Sequence, residues 1–421
     1  MIKSTACIVA VGSEMLTPFR VDTNSLLITE RLNAIGFDVR LKAVVADHVD
    51  ELARVIEGAL AWAQDIVITG GLGPTDDDRT REAVAQVLGL PLDCDESIVD
   101  QIRARFARRG LAMSEINVRQ ALVPRGAVVL ENPNGTAPGL WIERTGTAIV
   151  LLPGPPREMT PMLDAVVRDR LALRTSSAGL HRRVLKIAGR GESDVDAQAQ
   201  PVYGPWMSRP VPISTTILAV SGQVELHLTV EAASRELAQR ALDGAVAELH
   251  AALGPAVFST DGRQLEAVVG DLLRARSLTV AVAESCTGGL LASRLTDVPG
   301  SSAYVNRGVV CYSDASKTEL AGVPAALIQE HGAVSEPVAL AMAEGLLARA
   351  GTDVGIGVTG IAGPGGGTPD KPVGTVAIAV SLSGTTRVRT VHLVGAREVV
   401  KFQATQAALN MLRLLLLDTA P

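Results

Sequence analysis

The stretch Thr279-Val280-Ala281-Val282-Ala283-Glu284-Ser285-Cys286-Thr287-Gly288-Gly289 decides the fold of the last third of the chain. Its short apolar run is typical of a buried strand, and the two glycines open a helical pattern over residues 288–295. In open α/β sheets, functional groups lie where strands end and helices begin. A helix start led in by glycines offers backbone N–H groups to an anion. Ser285 and Thr287 therefore either lie beside an anion site or simply cap the helix.

The alternation of strands and helices continues on both sides of this stretch. The predicted helices are residues 24–35, 49–63, 80–88, 95–108, 264–276, 337–350 and 397–417. The predicted strands are residues 6–11, 66–69, 148–152, 279–284, 308–312, 353–359 and 374–381. Between them the pattern changes to strand 183–188, a hairpin of 211–219 with 223–230, and one helix, 234–253. We therefore predict the α/β class, with parallel sheets covered on both faces: two three-layer α/β domains, 1–172 and 261–421, joined by a small α+β module, 173–260.

Composition excludes several classes of protein. The 421 residues carry a formal charge of −6 and only 3% aromatics, which argues against a nucleic-acid-binding surface. The four cysteines and six histidines are scattered, so neither a zinc site nor a disulfide framework is expected. The first residues run into a strand-like segment without a signal-peptide core, and no apolar run approaches the roughly 20 residues of a membrane span. We expect a soluble, cytoplasmic protein that binds no membrane.

A second candidate segment is Cys311-Tyr312-Ser313-Asp314-Ala315-Ser316-Lys317. Ser316 and Glu319 fit a capping box, which predicts that Lys317 is the first residue of a helix. Burial and the helix dipole would both favour the neutral form of this lysine, which can accept a proton from a serine. The alternative is a solvated surface lysine.

A third segment, Gly360-Ile361-Ala362-Gly363-Pro364-Gly365-Gly366-Gly367, follows a predicted strand. Its backbone N–H groups could bind a carboxamide oxygen or a ribose. Residues 355–360 spell GxGxxG, but this motif lies inside the strand, and Pro364 with its glycines prevents a helix directly after it. Context therefore excludes a dinucleotide-binding motif.

In the N-terminal third, strand 66–69 leads into Gly70-Gly71-Leu72-Gly73-Pro74-Thr75-Asp76-Asp77-Asp78-Arg79-Thr80. The glycines allow a phosphate to approach the backbone, and clustered carboxylates suit a divalent ion that bridges phosphate oxygens. Alternatively the aspartates only cap the helix that begins at Thr80. The loops 12–14, 21–25, 132–139 and 152–159 are expected to converge on the same site.

The C-terminal third resembles the C-terminal domain of the CinA family. The resemblance lies in AESCTGG (283–289), DVPGSS (297–302), YSDASK (312–317), GAVS (332–335), TGIAGPGG (359–366) and KPVGT (371–375). It implies an amidase that converts nicotinamide mononucleotide to nicotinic acid mononucleotide and ammonia without a cofactor. Ser285 would be the nucleophile, with Tyr312 and Lys317 activating it. The implied substrate-binding residues are Thr287, Gly288, Gly289, Gly360, Ala362 and Gly363. Cys286 is the competing nucleophile, but no nearby motif offers a histidine to activate it, so we interpret it as a packing residue.

The N-terminal third is similar to the molybdopterin-binding domain of molybdenum-cofactor enzymes, and more closely to the N-terminal CinA domain. This resemblance implies a metal-dependent ADP-ribose pyrophosphatase that yields AMP and ribose 5-phosphate. A divalent ion (Mg, Mn or Co) would be held by Glu14, Asp22, Asp77 and Asp78. Substrate contacts are implied for Asn24, Gly70, Gly71, Gly73, Asn134 and Gly154. Ser13 and Asp76 depart from the family pattern, in which many members have Asp and Lys; the extra acid favours metal and weakens direct phosphate contact.

Two readings of the whole chain remain. It is either a two-headed enzyme of pyridine-nucleotide metabolism, or an amidase attached to a non-catalytic module that binds a nucleotide or a molybdopterin-like ligand. A competence or DNA-damage role comes only from the family's name. The middle segment occupies the place of the family's KH-like module, but Gly189-Arg190-Gly191-Glu192 lacks the GxxG spacing that clamps nucleic acid, so we interpret it as a spacer or dimer element. The resemblance also implies a homodimer.

Overall fold

The computed structural model describes residues 4–175, 179–382 and 384–419. The chain forms two compact units, Met1–Arg182 with Val230–Arg240, and Arg183–Thr229 with Ala241–Pro421. Most of the middle segment therefore belongs to the same unit as the C-terminal domain. Across the described ranges, no helix combines the length and apolar character needed to cross a membrane.

The N-terminal domain is a six-stranded sheet with helices on both faces. Its strands are β1 (Thr5–Val11), β2 (Asp38–Val45), β3 (Asp65–Thr69), β4 (Leu92–Cys94), β5 (Leu122–Pro124), β6 (Val128–Leu130), β7 (Gly139–Arg144) and β8 (Thr147–Leu152). Its helices are α1 (Asn24–Ala34), α2 (Val49–Leu60), α3 (Thr80–Leu88), α4 (Glu96–Ala107) and α5 (Pro156–Asp169). The order is β2-β1-β3-β8-β7-β6, with β4 and β5 forming a separate ribbon.

The central strands β1 and β3 are buried along their whole length because apolar helix faces cover both sides of the sheet. Ile8 and Val67 pack with Ile28 of α1, whereas Cys7 and Ile66 lie in the core that includes residues of α2. The prediction of a wholly parallel sheet is wrong at one edge, since β7 is antiparallel to both of its neighbours, β8 and β6. The strand β2 was missed because most of its side chains are exposed or half-buried at the other edge.

The middle module contains β9 (Gly179–Ala188), α6 (Glu192–Tyr203), β10 (Ile213–Val220), β11 (Gln223–Ala232), α7 (Arg235–Leu253) and β12 (Val257–Ser259). The sheet order is β10-β11-β9-β12. The predicted hairpin and long helix are present. The helix α6 was missed because it buries only Val195 and Ala199, too few positions to give an apolar period, and because it contains a proline, Pro201.

The C-terminal domain is a five-stranded sheet between two layers of helices. Its elements are α8 (Leu265–Ala275), β13 (Val280–Glu284), α9 (Leu290–Thr296), β14 (Val305–Val310), α10 (Asp314–Ala321), α11 (Ala325–His331), α12 (Glu336–Ala350), β15 (Val354–Gly360), β16 (Thr375–Leu382), β17 (Thr385–His392) and α13 (Arg397–Asp418). In the order β14-β13-β15-β16-β17, the first three strands are parallel, and β16 is antiparallel to both of its neighbours.

The glycines of the GxGxxG sequence in β15 have a packing role. A methyl group on Gly355 would lie 2.3 Å from the Ala343 carbonyl oxygen, and one on Gly357 would lie 2.1 Å from that of Ala339. Both carbonyls belong to α12. These glycines therefore let α12 approach the sheet closely, in agreement with the exclusion of a dinucleotide motif.

A buried chain of hydrogen bonds joins the middle module to the C-terminal domain. Arg294 of α9 donates to the amide oxygen of Gln406 on α13 at 2.7 Å. Gln406 in turn donates through Nε2 to Oε1 of Gln223 on β11 at 2.9 Å. All three side chains are buried, so each depends on the others to satisfy its polar groups.

Candidate active sites

Ser285 lies between the ends of neighbouring parallel strands. Its backbone N–H donates to the Val358 carbonyl of β15 at 2.8 Å, and the preceding Glu284 carbonyl accepts from the Cys311 N–H at 2.7 Å. The chain then turns through Gly288 and Gly289, whose φ values of 61° and 92° lie in the left-handed region that favours glycine. Ser285 itself is only 7% exposed. The sequence-predicted position of this serine at the end of a strand is thus confirmed.

The helix start after Ser285 is already occupied by a carboxylate. Glu284 is buried, and its Oε2 accepts from the N–H groups of Gly289 and Leu291 at 3.1 and 3.0 Å, while Oε1 accepts from Ala292 at 2.8 Å. The helix start does bind an anion, but this anion is the side chain of Glu284 and not a ligand, so the expectation of a ligand-binding anion site there is wrong. Glu284 was quoted in the sequence motif, but nothing there marked it as a cap.

Lys317 is 2% exposed, in keeping with the sequence expectation that it is buried. The predicted capping box is wrong by three residues, since α10 begins at Asp314. Ser313 caps this helix, and its exchange of hydrogen bonds with Ser316 replaces the expected glutamate. Lys317 is therefore the fourth helical residue. Its Nζ donates to the Tyr312 carbonyl at 3.4 Å and lies 3.8 Å from Oδ1 of Asp314.

Burial raises the pKa of the Cys286 thiol to about 12, although the nearby Lys317 and Arg397 lower it in part. Burial also raises the pKa of Cys311, against a smaller opposing effect of Lys317. Both cysteines are thiols at neutral pH, and a thiol is a poor nucleophile compared with a thiolate. This favours the interpretation of Cys286 as a packing residue. The effect of Lys317 on the pKa values of both cysteines also places its amine near the ends of β13 and β14.

Arg397, a residue that the sequence analysis missed, connects two predicted site segments. It donates to the Tyr312 hydroxyl at 2.9 Å and to the Gly363 carbonyl at 2.7 Å. Tyr312 is 62% exposed, so this contact fixes an otherwise free ring. The signal available in the sequence was an arginine at the start of a predicted helix, where the helix dipole disfavours a positive charge.

The remaining predicted C-terminal residues lie in the turn after β13 and at the end of β15 with the loop that follows it. Thr287 is fully buried, and its hydroxyl has no hydrogen-bond partner among the residues that the structure describes. A methyl group on Gly288 would lie 3.5 Å from Nζ of Lys401, a second cation of α13 that sequence reasoning did not single out. Gly360 ends β15, and Ala362 is buried in the loop that leads to Gly363.

The N-terminal candidate site is a pocket of about 340 Å³ past the carboxyl ends of β1, β3 and β8. The predicted residues that line it are Glu14, Gly70, Gly71, Gly73, Asp77, Asp78 and Gly154. Gly70 has φ 101°, and a methyl group there would lie 2.2 Å from the Val11 carbonyl oxygen. Gly71 has φ 65° and faces the Thr80 hydroxyl in the same way, at 2.3 Å. Both glycines are therefore required by the backbone as well as suited to a ligand.

Two predicted ligand-binding residues support the loops and do not line the pocket. Asn24 donates to the Gly154 carbonyl at 2.7 Å and to the Thr69 hydroxyl at 3.2 Å, which ties α1 to the ends of β3 and β8. Asn134 donates to the Arg157 carbonyl at 2.8 Å. The side-chain N–H₂ groups of Asn24 and Asn134 therefore already donate hydrogen bonds within the protein.

The four predicted metal ligands do not form a ready-made centre. The carboxylate of Asp78 accepts from the N–H groups of Gly73 and Thr75 at 2.7 and 2.9 Å. Asp22 accepts from the N–H of Ser25 in the first turn of α1, at 3.0 Å. Within residues 4–175, 179–382 and 384–419, no three His, Cys, Asp or Glu side chains are grouped closely enough to hold a metal ion.

Glu14 and Asp77 are the two predicted ligands that line the pocket with exposed side chains. That donor set fits an Mg²⁺-type ion, which commonly binds one or two carboxylates and completes its shell with water and substrate phosphate. Asp76 is 97% exposed and pairs with Arg119 at 2.5 Å. The positive charge of Arg119 therefore compensates the negative charge of Asp76, which stands where many members of the family have Lys.

Two polar pocket residues outside the expected loops were missed, namely Asp47 and Gln120, and Glu158 of the expected loop 152–159 was not singled out. Asp47 follows β2 and accepts from the N–H and the hydroxyl of Ser13 at 2.7 and 2.9 Å, which fastens the loop after β1. Gln120 is 2% exposed, and its amide oxygen has no partner among the described residues. Glu158 accepts from Asn132 at 2.8 Å. Asp47 was detectable as a polar residue after a strand, but that strand had not been predicted.

The comparisons with known proteins agree with this architecture. Residues 7–173 match the model of the probable molybdopterin binding domain, residues 182–259 that of the damage-inducible protein CinA KH domain, and residues 262–416 that of the CinA C-terminal domain. A CinA-like protein of Koribacter versatilis is 48% identical over 410 residues, which cover 96% of this chain and 98% of that protein. A putative competence-damage inducible protein of Moorella thermoacetica is 43% identical over 406 residues, covering 95% and 96%.

Among solved structures, the protein CinA from Thermoplasma acidophilum is similar at 35% identity and a TM-score of 0.38, covering 40% of this chain and 99% of that one. The fold and the matched domain models define a protein of two α/β domains and a KH-like module, and these matches support a nicotinamide-nucleotide-related function. The chain belongs to the CinA family.

Proposed function

We propose that the C-terminal site hydrolyses the carboxamide of nicotinamide mononucleotide to nicotinic acid mononucleotide and ammonia, with Ser285 as the nucleophile. The observation that carries the proposal is the buried Lys317, which contacts the Tyr312 carbonyl and lies close enough to Cys286, the residue after Ser285, to lower the pKa of that thiol in part. Lysine is one of the side chains that serve as general bases at active sites.

In the proposed reaction, Nζ of Lys317 takes the proton of the Ser285 hydroxyl, directly or through Tyr312, and the serine oxygen attacks the carboxamide carbon. The C–N bond breaks when the same relay returns the proton to the leaving nitrogen, so ammonia departs and an ester remains on Ser285. Water, deprotonated by the relay, then cleaves that ester. The unpartnered hydroxyl of Thr287 is available to bind the developing oxyanion or the substrate.

Ammonia release from nicotinamide mononucleotide tests this proposal, with Ser285→Ala and Cys286→Ala measured beside the unmodified chain. We expect Ser285→Ala to lower kcat by about 10⁴-fold or more, as for serine nucleophiles elsewhere. Cys286→Ala should lose less than about 10-fold, through packing alone. Full activity of Ser285→Ala would overturn the assignment.

For the N-terminal pocket, we propose a metal-dependent ADP-ribose pyrophosphatase. Glu14 and Asp77 would hold the ion, which would supply charge neutralisation at the pyrophosphate, while the loop around Gly70 and Gly71 would receive the phosphates. The alternative is a non-catalytic nucleotide or molybdopterin-like binding module, favoured by the lack of a ready-made metal centre among the described residues.

The substitution Asp77→Ala separates these two functions. Loss of Mg²⁺-, Mn²⁺- or Co²⁺-dependent ADP-ribose cleavage, with the amidase intact, supports the enzyme. No cleavage by the unmodified chain with any of these ions supports the binding module. We also propose that the chain acts in the cytoplasm as a homodimer without nucleic acid, which sedimentation at several concentrations would test for the dimer.

A further inference from the structure

A second cavity, of about 780 Å³, lies within the unit that holds the middle module and the C-terminal domain. It is lined by the turn between β9 and α6, by the β10–β11 hairpin, by the end of β17 and by one side of α13. None of the residues proposed for the amidase reaction lines it. Its volume falls in the range of about 300–1,000 Å³ that is usual for small-molecule sites.

Asn410 presents an oriented donor to this cavity. Its side chain is only 9% exposed, and its Oδ1 accepts from Nε and Nη2 of Arg413 at 3.2 and 2.9 Å. These contacts fix the amide so that Nδ2 points toward Gly189, where an added methyl group would lie 3.1 Å away. In the part of the chain that the structure describes, no acceptor pairs with Nδ2. This N–H₂ group is open to the cavity and is not sealed from solvent, so a ligand oxygen or ring nitrogen can accept its hydrogen bond there.

The remaining walls favour a ligand of mixed character and no net charge. Apolar side chains of β17 and α13, including Val391, Leu393 and Met411, line one side. Exposed carboxylates of Glu192 and Asp194 stand at the start of α6. The cavity also contains Arg190 and Arg389, so its two positive charges are matched by the two negative ones. Such a balanced site has no preference for an anion.

We propose that this cavity binds the nucleoside part of a ligand. A flat heteroaromatic ring fits between the apolar side chains, and an acceptor on its edge receives the Asn410 Nδ2 hydrogen bond. The ribose hydroxyls donate to the carboxylates of Glu192 and Asp194, as ribose hydroxyls do to acidic residues elsewhere. The source is either a free nucleoside or a nucleotide, and the phosphate contributes nothing to binding. The site is independent of both proposed reactions.

Calorimetric titration of the full chain with adenosine, 2′-deoxyadenosine and AMP tests the proposal. We expect adenosine to bind with a Kd of about 1 mM or lower, 2′-deoxyadenosine about 10-fold more weakly, and AMP within about 3-fold of adenosine. Absence of any adenosine binding up to about 5 mM overturns the proposal. Binding of AMP more than about 10-fold tighter than adenosine does so too, because phosphate recognition would then dominate.

The substitution Asn410→Asp keeps an acceptor for Arg413 but removes the N–H₂ donor, and Asn306→Asp is a matched control on the exposed surface of β14. Asn410→Asp should weaken adenosine binding by about 10-fold or more, with Asn306→Asp unchanged. Met411→Trp, which fills the cavity, should abolish binding. If both Asn410→Asp and Met411→Trp bind adenosine with full affinity, adenosine binds elsewhere in the protein, for example in the N-terminal pocket. That result overturns the proposed site. Unchanged ammonia release by each variant confirms that it is folded.

Discussion

The two candidate active sites have the same arrangement of strands, turns and helices but differ in the burial of their ionisable side chains. In both, parallel strands end in a glycine turn that leads to a helix. At the C-terminal site, the ionisable side chains of Glu284 and Lys317 are buried, and backbone groups contact both. At the N-terminal site, Glu14 and Asp77 are exposed at a pocket wall. Buried side chains are held in fixed positions by their backbone contacts, whereas exposed carboxylates are free to bind a metal ion or a ligand.

The largest expected effect tests whether the buried Lys317 acts as a base or only provides a structural charge. Both Lys317→Met and Lys317→Arg should lower amidase kcat by about 10³-fold, because an arginine keeps the charge but cannot accept a proton. ADP-ribose cleavage by the same preparations serves as the internal control and should not change. Substantial ammonia release by Lys317→Arg would remove the proton-transfer role and leave only charge compensation.

The next effect concerns the buried carboxylate. Glu284→Gln replaces one acceptor oxygen by an N–H₂ group that faces backbone donors of α9, so we expect the C-terminal domain to lose about 2–3 kcal/mol of unfolding free energy. Chemical unfolding followed by circular dichroism measures this loss. Glu330→Gln, at an exposed position of α11, is the control and should cost less than about 0.5 kcal/mol. Equal stability of the two variants would show that Glu284 is not an obligatory cap.

The smallest effect lies at the opposite end of β3 from the N-terminal pocket. Burial raises the pKa of Asp65 to about 6, against the opposing effect of its ion pair with Arg174. The folded state therefore holds this proton more tightly than the unfolded state, and the contribution to stability that is present at pH 4 is lost as the pH rises through 6. Asp65→Asn should flatten that decline, by on the order of 1 kcal/mol, in urea unfolding at pH 4.5 and 7.5. An unchanged pH dependence in the variant would contradict the raised pKa.

The sequence predicted the parts of the molecule whose signal is local. The buried strands β1, β3, β13 and β15 are continuous apolar runs, and the glycine turns after β3 and β13 follow from them. Edge elements such as β2 and β17 were missed because half-exposed strands mix polar and apolar residues without a clear period.

Site residues were missed for a different reason. Arg397 reaches Tyr312 from 85 positions further along the chain, and Asp47 reaches Ser13 across 34 positions. Such contacts depend on the assembled sheet, so neither residue carries a local motif. The capping box of α10 shows the converse error, since two serines satisfied a role that the pattern gave to Glu319.

The hydrogen-bond chain from Arg294 through Gln406 to Gln223 makes the middle module and the C-terminal domain depend on each other. A replacement of the module that did not keep an amide side chain at position 223 would leave the buried Nε2 of Gln406 without an acceptor. Because Arg294 belongs to the helix that follows the Ser285 loop, the cost of such a mismatch would fall next to the proposed nucleophile. The side chains of Arg294, Gln406 and Gln223 therefore favour the inheritance of the middle module and the C-terminal domain together.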